Sequence, residues 1–79
     1  MKFRSKPKII EAYRLDLSKQ HPPGVLRDPR MESGLFVRTI HGDKIGVWDG
    51  DWIITEPDGV HHYPCKPDIF NNSYEPIED

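Results

Sequence analysis

The sequence holds one cysteine, Cys65, inside the stretch HHYPCKPDIF (61–70), close to His61 and His62. A thiol with an imidazole in reach is the minimum for thiol nucleophilic catalysis, because a base must take the thiol proton. On a strand, side chains alternate, so His61, Tyr63 and Cys65 share one face and His62 takes the other. His61 and Cys65 then stand about 13 Å apart along the strand, beyond hydrogen-bond reach. A base would have to come from elsewhere, His41 for example, and a small enzyme using Cys65 or a histidine stays an alternative. The competing reading makes Cys65 a small buried hydrophobe at a strand-to-helix corner. No CxxC or HxxxH pair supplies two zinc ligands at a recognised spacing, so no metal is expected. His21, in a loop, and His41, at a strand end, read as exposed. Asp43, Asp49, Asp51, Glu56 and Asp58 sit at turns, where carboxylates bond their own backbone, which weakens a paired-carboxylate reading. No phosphate loop or Ser-His-Asp constellation is present, and no cofactor is expected.

Anion binding is the other chemistry that the residue types allow. Residues 1–40 carry nine Lys/Arg against four Asp/Glu, and residues 41–79 carry two against nine. Packed on one small body, the halves neutralise each other, and a surface of that kind does not suit duplex nucleic acid. A basic patch remains conceivable, and Trp48 and Trp52 flank a DGD turn where a ring could stack on a ligand. The candidate ligand-binding residues are Arg4, Lys6, Arg14, Arg38 and Lys66 for charge, with Trp48, Trp52 and Tyr63 for stacking.

The elements that must position these residues read as mainly β. KIIEAYRL (8–15) is a strand, and the basic run before it, within residues 1–7, is either a flexible arm or an edge extension. Residues 16–34 form a long, proline-rich loop, with a short helical turn predicted over 28–32 behind an Asp28 cap. Strands follow over 35–41, 44–49, 52–56 and 60–63, separated by Gly42-Asp43, Asp49-Gly50 and Pro57-Asp58-Gly59. These turns predict a continuous antiparallel meander or a partly open barrel. Lys66 as cap and Pro67 at the first helical position predict one short C-terminal helical turn, and SYEPI (73–77) a last edge strand.

Seventy-nine residues make one domain, 1–79, of which 35% are hydrophobic and 30% charged. So lean a chain, without a disulfide to support it, buries a thin core, which points to a homo-oligomer. No apolar run of signal-peptide or membrane-spanning length is visible, so the expected place is the cytoplasm and no membrane partner is expected.

KPKIIEAYRL, GDWII (50–54), YPCKPDIF (63–70) and YEPI (74–77) resemble a widespread group of short phage and prophage proteins. The similarity covers the first strand and the last thirty residues. It departs between them, where the group commonly has a polar amphipathic helical segment and this chain a shorter, proline-rich loop; TEPDGVHH before YPC also differs. The resemblance implies a phage accessory protein made in a bacterial host cell and implies no reaction. Together with the basic half and the aromatics, it makes the leading expectation a non-enzymatic, anti-defence binding protein that sequesters a small anionic, nucleotide-derived host signal. The alternative is a protein-interaction module that binds a host or phage protein through an edge strand or the loop 16–34.

Overall fold

The computed structural model describes residues 2–5 and 8–76. One antiparallel sheet contains β1 (Lys2–Ser5), β2 (Lys8–Arg14), β6 (Trp52–Thr55), β7 (His62–Cys65) and β8 (Glu75–Pro76), in the order β7-β6-β2-β1-β8. A second, smaller antiparallel sheet contains β3 (Leu26–Arg27), β4 (Leu35–Arg38) and β5 (Lys44–Gly46), in the order β3-β4-β5. Helix α1 (Pro67–Ser73) is the only helix among the described residues. The mainly β class with one short C-terminal helix therefore stands, and the sheets do not close into a barrel.

The run Trp52-Ile53-Ile54 shows why two layers cover the larger sheet. Alternation sends Ile53 to one face and Trp52 and Ile54 to the other, yet Ile53 and Ile54 are both fully buried. A strand that is apolar in consecutive positions must be covered on both faces. On one side Ile10, Ala12, Ile54 and Phe70 form a core with Trp52, Tyr63, Cys65 and Tyr74 packed against it. On the other, Leu15 and Ile53 meet Leu35, Val37 and Val47 of the smaller sheet and its flank.

Helix α1 begins as its sequence dictates. Lys66 is extended (φ −65°, ψ 145°), and Pro67, which has no N–H to satisfy, opens the helix with Asp68 in the first turn. The helix delivers Phe70 into the first core, where its ring stacks between Trp52 (centroids 4.3 Å apart, planes at 7°) and Tyr74 (4.9 Å, 25°). It ends where the extended Tyr74 donates its N–H to the Phe70 carbonyl at 2.9 Å.

The chain departs from the sequence expectation in how the strands connect. β4 pairs with β5 and β6 with β7, but β5 and β6 lie in different sheets, so the meander is interrupted. The cause is the turn Trp48–Asp51. Leu15 donates to the Asp51 carbonyl and accepts from the Gly50 N–H, both at 2.7 Å, so β2 claims the backbone that a β5–β6 hairpin would use. Gly50 makes this possible at φ 90°, a conformation that side chains with a Cβ rarely adopt.

Three other expectations shift. The strand after Gly59 starts at His62 rather than Val60, because the Val60 and His61 N–H groups both donate to the Asp58 carboxylate at 2.9 Å, and the strand before Gly42 stops at Arg38 because Thr39–Asp43 close the turn. In place of a helical turn over 28–32, two successive turns run from Asp28 to Gly34, the first closed by Met31 N–H to the Asp28 carbonyl at 3.0 Å, and residues 16–34 also contain β3. Of the two readings of the basic run near the start, the sheet extension holds over Lys2–Ser5, where β2 and β8 pair with it on either side, while Met1, Lys6 and Pro7 lie outside the described residues.

Candidate functional site

The structure brings Arg14, Trp48, Trp52 and Lys66 to one end of the larger sheet and places Arg38 on the smaller sheet. Arg4 lies on β1 opposite Ile9 and Glu75, but its side chain, like the whole of Lys6, lies outside the described residues. Arg14, Trp52 and Cys65 stand side by side across β2, β6 and β7. Lys66 joins that end of the sheet, donating at 3.3 Å to Asp51, whose other oxygen accepts the Trp48 N–H at 3.0 Å. The buried Asp51 is thus fully engaged, and it offsets the Lys66 charge. Trp52 and Tyr63 are committed to the aromatic core rather than open to a ligand, Trp52 by stacking on Phe70 and Tyr63 by burial among the residues under α1. Burial, and then a hydrogen bond with Tyr74, hold the Tyr63 phenol well above its ordinary range. Trp48 is the exposed indole, 44% accessible.

The cysteine is equally settled. Burial first, then the nearby Asp51 and Asp68 charges, push the Cys65 thiol up from its ordinary value, away from the thiolate that nucleophilic chemistry needs. His61 is tied through Nδ1 to the Asp58 carboxylate, in the turn before β7. His62 is buried on the opposite face of β7, and a Cβ on Gly24, itself at φ 91°, would overlap its ring. Burial pushes the His62 imidazole below 6.5. Among the described residues no three of His, Cys, Asp and Glu converge where a metal ion could sit, and no helix is long and apolar enough to cross a membrane.

Cations do gather on the smaller sheet. Arg38 and Lys44 are direct cross-strand partners on β4 and β5, and both reach over the buried Phe36 ring, Lys44 Nζ at 4.3 Å and Arg38 Cζ at 5.8 Å from its centroid. Like charges placed directly opposite destabilise a sheet unless something offsets them. For Lys44 the offset is Asp28, whose Oδ2 accepts its ammonium at 2.7 Å. Asp28 also accepts the Arg30 backbone N–H at 3.0 Å and its Nε at 3.2 Å. These bonds, Lys44 foremost, hold the Asp28 carboxyl well below the usual range, so it stays charged. Among the described residues no carboxylate pairs with Arg38. The result is a row Arg30, Asp28, Lys44, Arg38 with three positive charges and one negative.

Of the four residues in this row, the sequence candidates include Arg38 but not Lys44, Arg30 or Asp28. The signal was there: a three-residue turn, Ile40–Gly42, flanked by Thr39 and Asp43 places Arg38 opposite Lys44. Compared with protein-family models, curated proteins and solved structures, the chain matches none.

Proposed function

We propose that the protein is a non-enzymatic binding protein that captures a small anionic ligand on the Arg38–Lys44–Arg30 face of the smaller sheet. The carrying observation is the like-charge pair Arg38 and Lys44 over Phe36, with Arg38 lacking a carboxylate among the described residues. An oxyanion bridging the two cations would relieve their repulsion and give the Arg38 guanidinium its forked partner. The resemblance to phage accessory proteins makes a nucleotide-derived host signal the first ligand class to test. The neutral Cys65 thiol and the separation of the histidines from it favour binding over thiol catalysis.

Native mass spectrometry of protein purified from phage-infected cells, followed by calorimetry with cyclic nucleotides, linear nucleotides and inorganic phosphate, tests the reading. A bound anion whose affinity falls in Arg38→Ala and weakens with salt is the expected result. No bound species and no heat with any of them would sink it.

A second reading, an interaction module that pairs with a host or phage protein, draws on β5. It is an edge of the smaller sheet, with Ile45 on it 39% exposed and Ile40 in the preceding turn 50% exposed. A stoichiometric partner in a pull-down that Ile45→Lys abolishes would favour it. Self-association, suggested by the thin core, is checked by sedimentation across a concentration range.

A further inference from the structure

A groove of about 290 Å³ lies beside the Trp48–Asp51 turn, on residues that the anion-binding reading does not use. Leu35 and Val47 line it from the core, and Leu17 and Trp48, 56% and 44% exposed, are its apolar walls. Glu32 and Asp49 add two carboxylates. One Asp49 oxygen accepts the Leu17 N–H at 3.0 Å, which fixes the carboxylate beside the wall. No cation pairs with Glu32 among the described residues, and the nearby Arg30 is engaged by Asp28.

Size and charge together select the occupant. Pockets for whole small-molecule ligands run from roughly 300 to 1,000 Å³, and a groove of about 290 Å³ at the lower end of that range has room for one long side chain. Its two carboxylates repel an anion and leave a neutral apolar group no polar partner. An arginine side chain matches each part: an aliphatic stem against Leu17, a planar cation against the indole, and donors for Glu32 and Asp49.

We propose that this groove binds an arginine side chain presented by a basic peptide segment of a partner protein. The charge complementarity is local and does not depend on the cationic face of the smaller sheet, so the two readings fail separately.

The experiment is a two-dimensional NMR titration of the intact protein with a capped glycine-serine peptide carrying one central arginine, and with the same peptide carrying norleucine. The arginine peptide should shift the Trp48 indole signal and the Leu17 and Val47 amides saturably, and the norleucine peptide should not. Glu32→Lys, at an exposed position, should leave the remaining spectrum intact and weaken binding about tenfold. Trp48→Ala should remove it. Equal shifts with both peptides, or none with arginine, would overturn the proposal. So would shifts of these signals on dilution of the protein alone, which would give the groove to a second copy of the chain.

Discussion

The two sheets of this protein are held together by different physics. Under α1 the larger sheet is closed by rings: Trp52, Phe70 and Tyr74 stack in sequence over Ile10, Ala12 and Ile54. The smaller sheet also gives Leu35 and Val37 to a core, but its other side is organised by charge, with Asp28 drawing Arg30 and Lys44 together around Phe36. Apolar burial carries no titrating charge and is not weakened by ionic screening, whereas ion pairs respond both to pH and to screening by salt. The first region therefore rests on apolar burial, and the second keeps one cation, Arg38, with no carboxylate partner to give up among the described residues.

Phe70→Ala is the strongest way to break the aromatic side. It removes the middle ring of the stack and should cost about 3–5 kcal/mol, much of the total stability of a domain this small. Chemical denaturation should show a clear loss in midpoint, and an unchanged midpoint would mean that α1 does not close this core. Next comes Gly24→Ala, which tests the loop against β7. The positive φ and the overlap with the His62 ring together should cost about 1–3 kcal/mol.

The pH dependence separates the regions more finely. Burial lowers the folded-state value of His62, so the unfolded chain binds the proton more readily; stability is full above 6.5 and falls as pH drops below it. Asp58, lowered to about 2 by its bonds from His61 and Val60, adds a further loss as pH falls from 3.8 towards 2, and Asp28 acts in the same direction. Thermal melts of the wild type and His62→Gln should differ in slope just below pH 6.5 and run parallel above it. Parallel curves throughout would mean that His62 titrates alike folded and unfolded.

The smallest effect on stability belongs to Arg38→Ala. At an exposed position with no carboxylate to lose, it should move stability by no more than about 0.5 kcal/mol, while removing the guanidinium that the anion-binding reading requires. A large loss of stability would show that the cationic face is structural, and the contrast between the two sheets would narrow.

What could be read from the sequence was whatever a few neighbouring residues decide. Gly42, Gly50 and Gly59 all take positive φ at the expected turns, and Lys66-Pro67-Asp68 start the helix, because caps and turns depend on local backbone chemistry. The break between β5 and β6 depends on Leu15, more than thirty residues before Gly50, and no periodicity in either segment contains that competition. The candidate site divided on the same line. Trp52 and Tyr63 looked available because their types suit stacking, but WII marks a strand covered on both faces, and its rings were needed inside. The Asp28 network went unseen because its cation partner Lys44 lies sixteen residues away across a strand pair.

The outer strands of the larger sheet, β7 and β8, each carry a proline, Pro64 and Pro76. Glu56 N–H donates to the His61 carbonyl at 2.8 Å, and counting the register on from that pair makes Ile53 opposite Pro64 a pair without hydrogen bonds. The Pro64 nitrogen therefore faces outward and has no hydrogen to offer a newcomer. A neighbouring chain that tried to continue this sheet would meet a gap in the ladder at one margin and a proline at the other. Fibril-like growth is discouraged at both margins of the larger sheet, and strand-to-strand recognition, where it occurs, is directed to the smaller sheet.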